Sequence, residues 1–264
     1  MFEYGFIGTG NMASALCKAL VKCVSPKLVL LSNRTAEKAK NLAEKLGCEA
    51  ADNKSVATQC KYIFLGVKPQ MLEDLANEIK PYLEKRQDRF ILVSMAAGRS
   101  TENITELFGI FPVIRIMPNV ASAVGEGMTL CAKNDLVTDE EYSEFFASMN
   151  KSGKLDDIPE KLIDAASAVS GCGPAFVFEV IEALADGAVA CGVPRDKAYT
   201  LAAQTLLGSA KLMLRTGKNP AALKDSVCSP GGTTIEGVRK LEERGLRSAL
   251  IEAVIASYEK SQNI

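Results

Sequence analysis

No histidine occurs anywhere in the chain. The commonest general acid–base and the commonest metal ligand are therefore missing, and whatever chemistry the protein performs proceeds without imidazole. Tryptophan is absent as well, which decides nothing. Neither sign of charge dominates: 31 Lys and Arg stand against 32 Asp and Glu, a net charge of -1. That balance offers no basic field to nucleic acid and no polybasic face to anionic lipid. No apolar run reaches the roughly 18 residues of a membrane span, so no membrane association is expected. A strand beginning by Tyr4 leaves no room for a signal or transit peptide, again as an expectation. The eight cysteines (17, 23, 48, 60, 131, 172, 191 and 228) form no C-x-x-C pair and no metal-ligand spacing. They read as small buried hydrophobes in a reducing compartment, which predicts a cytoplasmic protein with no metal site.

What is present starts with Gly8-Thr9-Gly10-Asn11-Met12-Ala13. It follows an apolar strand-like stretch from Tyr4 to Ile7 and precedes a helical pattern from Ala13 to Val24. Glycine at 8 suits a tight turn out of the strand, glycine at 10 lets backbone approach a phosphate, and Ala13 lets the helix lie close. The free N–H groups and positive end of that helix would face a pyrophosphate. A second apolar run, Leu28 to Leu31, ends in Ser32-Asn33-Arg34. An NAD site usually carries an acid there for the ribose 2′-OH; small polar residues and an arginine suit the 2′-phosphate of NADP. The alternative is a solvated loop capping the next helix, and use of NADH stays open.

A helix is expected over Thr35 to Leu46 and another from Asn53. Strands are expected at Tyr62 to Gly66, Phe90 to Ser94, Val113 to Met117, Met128 to Cys131 and Ser152 to Asp156. Helices are expected at Met71 to Tyr82 and from a capping box at Thr138 to about Asn150. Val67-Lys68-Pro69 and Met95-Ala96-Ala97-Gly98 fall just past strand ends, where a cofactor lies in an open α/β sheet. Lys68 reads equally well as a phosphate contact and as a loop lysine in water. The reading is an α/β protein with an N-terminal doubly wound Rossmann domain over residues 1–157 and an all-α domain over 158–264. In the second half, Lys161 to Ser170, Pro174 to Cys191, Pro194 to Arg215, Pro220 to Val227, Thr233 to Arg244 and Leu246 to Lys260 read as helices. Several are apolar or small nearly all round, so two chains are expected to interlock there as a homodimer. Two stretches go beyond packing, Ser170-Gly171-Cys172-Gly173-Pro174 and Ser226 to Thr234. Hydroxyls and backbone N–H groups at a helix start suit a carboxylate, with a plain capping loop as the alternative.

Together these pieces resemble the pyrroline-5-carboxylate reductase family. The matching stretches are Gly5 to Met12, Val67-Lys68-Pro69-Gln70, Met95 to Gly98, Arg115-Ile116-Met117-Pro118-Asn119, Ser170 to Phe176 and Leu223 to Thr234, in family order along nearly the whole chain. The resemblance implies a helical dimerisation domain, often rings of such dimers, and hydride transfer from NADPH, or NADH, to L-1-pyrroline-5-carboxylate, giving L-proline. It implies cofactor contacts at Gly8, Thr9, Gly10, Asn11, Met12, Ser32, Asn33, Arg34, Asn53, Val67, Lys68, Pro69, Ala96, Ala97, Gly98 and Asn119. It implies a substrate seat at Ser229, Gly231, Gly232, Thr233 and Thr234, with Thr234 beside the ring nitrogen as the catalytic residue, and an acid at Glu160. The missing histidine fits this chemistry. A cyclic imine is basic enough to arrive protonated, so placement replaces a strong general acid. Two other readings stay open, a reductase of another imine or a β-hydroxy acid and a non-catalytic NADP-sensing module. The β-hydroxy acid type normally carries a catalytic lysine in its helical domain, and Lys161 lacks the motif around it.

Overall fold

The structure is a computed structural model that describes residues 2–262. Eight strands form one sheet: β1 Phe2–Ile7, β2 Val29–Ser32, β3 Glu49–Ala50, β4 Cys60–Leu65, β5 Ile91–Ser94, β6 Val113–Met117, β7 Gly127–Lys133 and β8 Gly153–Asp157. Their spatial order is β3-β2-β1-β4-β5-β6-β7-β8. Every pairing is parallel except β6 with β7. The helices of this half are α1 Asn11–Leu20, α2 Ala36–Leu46, α3 Asn53–Gln59, α4 Leu72–Leu83, α5 Thr101–Phe108, α6 Asp139–Met149 and α7 Ile163–Ser170.

The strands are apolar on both faces because helices cover both faces. Side chains alternate along each strand. Tyr4, Phe6, Tyr62, Phe64, Val93 and Ile116 therefore pack with α1, α2 and α6. Their neighbours Ile7, Ile63, Leu65 and Leu92 pack with α3, α4 and α5 on the other side. Register aligns Tyr4 with Tyr62 and Phe6 with Phe64. The two ring pairs stack at 5.4 and 4.2 Å between centroids. Each pair adds about 0.5–1.5 kcal/mol beyond area burial and locks β1 to β4 at the centre of the sheet.

Some local features lay outside the periodicity. The two-residue β3 and the eight-residue α5 were not expected. Helix α5 opens with a reciprocal capping box, Ser100 with Asn103. Helix α1 starts two residues earlier than expected and stops at Leu20, where the chain tightens into a turn in which the Lys22 and Cys23 N–H groups donate to the Ala19 and Leu20 carbonyls.

The chain separates into two compact units. One runs to Cys172 and takes in the chain from Tyr258; the other is Gly173–Ser257. The second unit carries α8 Gly173–Ala190, α9 Arg195–Thr216, α10 Pro220–Ser226, α11 Thr233–Glu243 and most of α12 Leu246–Ser261. Its own core is small, Ala185, Ala198 and Ala202 between α8 and α9. Large apolar side chains face outward, among them Phe178 at 63%, Leu201 at 57% and Leu214 at 76% exposure. The expectation about membrane-length segments needs correcting. Among the described residues, the helical stretch Glu160–Ala190 is long and apolar enough to cross a membrane by length and composition. It is not an unbroken apolar run: it turns at Gly171-Cys172 and carries Glu179, Glu182 and Asp186.

Candidate active site

Strand order reverses at β1, since β2 and β3 lie to one side of it and β4 onward to the other. A ligand crevice is expected at that switch point, past the carboxyl ends of the strands. The turns leaving β1 and β4 meet there. Gly66 donates to the Ile7 carbonyl at 2.8 Å and Gly8 to the Ser32 carbonyl at 2.8 Å. A Cβ on Gly8 would come within 2.5 Å of the Gly66 oxygen, and Gly8 sits at φ +95. A Cβ on Gly66 would come within 2.6 Å of the Gly8 oxygen. Only glycine at both positions lets the two turns touch. Gly10 has open space where its Cβ would be.

Helix α1 begins at this turn with no side chain capping it. Its first N–H groups are therefore available, with the dipole behind them, for an anion. The buried hydroxyl of Thr9 also lacks a partner. These features fit a pyrophosphate. The cleft that opens here has a volume of about 770 Å³, lined by Gly8, Gly10, Ser32, Asn33, Arg34, Asn53, Val67 and Lys68 among others.

The turn after β2 divides its labour. Asn33 accepts from the Thr9 N–H at 3.1 Å and donates to the Thr35 carbonyl at 3.1 Å. It ties the β1 and β2 turns together with both ends of its amide. Ser32 is buried and its hydroxyl donates to Asn53. Arg34 is exposed, lines the cleft and has no ion-pair partner among the described residues. Of the three it alone is left with its charge free to meet a phosphate, and Lys38 and Lys40 also line the cleft.

The other expected residues are placed differently. Ala96, buried, and Ala97 and Gly98, exposed, follow β5, whose Ser94 pairs with Leu65 of β4. They belong to the next turn along the sheet and, like Thr9, Asn11, Met12 and Pro69, are outside the lining of this cleft. Asn119 uses both ends of its amide internally. It donates to the Ser170 carbonyl at 2.9 Å and accepts from the N–H groups of Ala121 and Met128. The carboxylate of Glu160 accepts from the Thr101 N–H and hydroxyl, both at 2.7 Å, and from Arg115 at 3.4 Å. Arg115 is buried and also pairs with Asp164 at 2.6 Å. Glu160 thus holds the start of α5 to β6.

In the helical unit, Ser229 to Gly232 forms a tight turn closed by Gly232 N–H to the Ser229 carbonyl at 3.0 Å. Gly231 sits at φ +67, which favours glycine. Helix α11 then starts at Thr233 with no side-chain cap, and Ser229, Thr233 and Thr234 are exposed. This is a second free helix start, flanked by three hydroxyls. Sequence reasoning passed over Gly66, although it closes a strand just before Val67-Lys68-Pro69. It also passed over Met71, Asp74, Leu75 and Glu78 of the cleft, which carry no local signal. Among the described residues no group of three metal-ligating side chains converges, and all eight cysteines are free.

A doubly wound sheet with glycine turns meeting at its switch point, a free helix start and an arginine after β2 defines a Rossmann-type dinucleotide-binding protein. Comparison with known proteins refines this. Residues 160–264 match the family described as pyrroline-5-carboxylate reductase dimerisation. Residues 3–98 match the family described as NADP oxidoreductase, coenzyme F420-dependent. The pyrroline-5-carboxylate reductase of Escherichia coli K12 is 41% identical over 266 residues, covering 99% of this chain and 98% of its own. The solved pyrroline-5-carboxylate reductase of Coxiella burnetii superposes with a TM-score of 0.91 at 30% identity, covering 99% and 98% of the two chains. The Plasmodium falciparum pyrroline carboxylate reductase, solved with NADP bound, gives 0.87 at 30% identity over 99% and 97%. The chain belongs to the pyrroline-5-carboxylate reductase family.

Proposed function

We propose that the protein reduces the C=N bond of L-1-pyrroline-5-carboxylate with NADPH, giving L-proline. The observation that carries this reading is the uncapped start of α11 behind the Ser229-to-Thr234 turn, a ready seat for a small carboxylate. NADPH, when bound, supplies the hydride. The residues of the β1, β2 and β4 turns, with those at 96–98 and Asn119, hold and shape its site. Arg34 meets the 2′-phosphate, and NADH binds without that contact. Backbone N–H groups at 233 and 234 and the Ser229 and Thr233 hydroxyls clamp the carboxylate. Thr234 holds the ring nitrogen in line, and Glu160, anchored by Thr101 and Arg115, stands as an acid of the substrate pocket. The substrate arrives already protonated, so these side chains orient and exclude water rather than transfer a proton.

We further place the functional boundary at 157/158, with substrate binding and dimerisation in 158–264. The compact unit extends beyond it to Cys172. The Arg115–Asp164 and Asn119–Ser170 contacts tie α7 to the sheet. The outward-facing apolar side chains of α8 and α9 support a homodimer through this half, and rings of dimers are its natural extension. Eight free thiols support a reducing, cytoplasmic location.

The test is to follow NADPH absorbance with and without the imine. Oxidation that needs the imine and yields proline is expected. NADPH binding with no oxidation would point instead to a sensing module, and oxidation only with another imine or a keto acid would point to the other reductase.

A further inference from the structure

Three acids line the cleft at the strand switch point; Asp52 is spent capping α3 through the Ser55 N–H, and the other two are not explained by the reaction. Asp74 and Glu78 lie one turn apart on α4, with Leu75 beside them, and all three line the cleft. A carboxylate placed against the pyrophosphate or the 2′-phosphate would repel it. The glycine turns and the free start of α1 draw the pyrophosphate to one end, and Arg34 with Lys38 draws the 2′-phosphate to the β2 side. The wall made by Met71, Leu75 and Glu78 is what remains for the base. It offers apolar area and an acceptor.

Glu78 is also held in place. The Ser32 hydroxyl donates to Asn53 Oδ1, and Asn53 Nδ2 donates to Glu78 Oε2 at 2.9 Å. A carboxylate can only accept, so this contact sets which way the Asn53 amide points. Asn53 in turn fixes one oxygen of Glu78 and leaves the other for a ligand. In the adenosine half of NADP, the donors available to it are the ribose 3′-hydroxyl and the exocyclic N6 amino group of adenine. Asn53, nearer β2, stands toward the ribose, and Glu78, one residue further along the chain of hydrogen bonds, stands toward the base.

We propose that Glu78 reads the adenine of the cofactor by accepting a hydrogen bond from its N6 amino group, making it a base-specificity residue. The inference rests on the cofactor placement above. The probe is deamino-NADPH, in which hypoxanthine presents a carbonyl where adenine presents the amino group. Affinities are read by fluorescence titration of the reduced nicotinamide, without turnover. The native protein should bind deamino-NADPH roughly 10-fold or more weakly than NADPH, because a carboxylate would then face an oxygen. In Glu78→Gln, whose amide oxygen takes over the Asn53 contact and whose NH2 then faces the base, the preference for NADPH should vanish or turn toward deamino-NADPH. Asp74→Asn should leave the ratio as in the native protein. A native ratio near one, or a ratio that survives in Glu78→Gln, overturns the assignment. The placement itself is checked by Arg34→Ala. If that change leaves NADPH affinity untouched, the cofactor does not lie as argued, and the assignment falls with it. Thermal melting of each variant confirms folding, and Glu78→Ala, which should also lose the discrimination, serves if Glu78→Gln is unstable.

Discussion

Replacing Arg34 with alanine should separate the two nicotinamide cofactors. At the end of β2 Ser32 is committed to Asn53, and in the loop that follows Asn33 is committed to Thr9 and Thr35, so a 2′-phosphate there relies on Arg34. The phosphate carries about -1.5 to -2 charges at neutral pH. An arginine–phosphate contact is bidentate when aligned, but this guanidinium faces water and is screened. Lys38 and Lys40 also line the cleft and retain part of the attraction. Together these put the loss at about 1–2 kcal/mol, or roughly 5- to 30-fold in NADPH affinity. NADH lacks the phosphate and should bind within about twofold of the native value. Titrating both reduced cofactors by fluorescence, at low salt and at high salt, provides the measurement. The NADPH advantage of the native protein should shrink at high salt, and that of the variant should change less. Equal loss for NADH and NADPH would refute the argument, because it would mean Arg34 acts through the fold of the loop rather than through the phosphate.

Three further changes test other parts of the structure. Thr234→Ala should lower kcat roughly 10- to 100-fold in the steady-state assay, as expected when a positioning contact is lost; unchanged kcat/KM would remove Thr234 from the mechanism. Gly66→Ala would put a methyl group within 2.6 Å of the Gly8 oxygen and 2.9 Å of the Ala13 Cβ. The β1 and β4 turns must then part, which should cost about 1–3 kcal/mol in denaturant unfolding and weaken NADPH binding as well; full affinity in a destabilised protein would show that the turns do not shape the site. Glu141 has its carboxyl held down to about 2, chiefly by hydrogen bonds from Arg89, with the Thr138 N–H adding to it. A depressed folded-state pKa contributes stability above the ordinary carboxylate value and loses it as pH falls from about 4.5 toward 2. Because Arg89 is half exposed, the contribution is about 1 kcal/mol after screening. The urea midpoint of Glu141→Gln should therefore fall less between pH 7 and pH 3 than that of the native protein; an identical pH slope would contradict this.

Local chemistry made much of this protein legible from its residues. The glycine turn, the Ser32-Asn33-Arg34 loop and the Ser229-to-Thr234 stretch each carry their meaning within a few residues, because turn geometry, helix starts and charge are local properties. Long apolar strands such as Tyr62 to Leu65 announced themselves through burial on both faces. The outward apolar helices of the second half were equally plain, since a helix without a polar face has to be covered by something.

Tertiary structure decided the rest. The antiparallel turn of β7 against β6, the two-residue β3 and the pairing of Gly8 with Gly66 depend on partners distant in the chain. So do the fates of Asn33, Asn119 and Glu160, whose polar groups are drawn into the protein's own hydrogen bonds. Glu78 meets Asn53 only because the fold lays α4 beside α3. A residue's type is set by the chain alone, but whether its hydrogen-bonding capacity is spent or free is settled by what the fold brings within 3 Å of it.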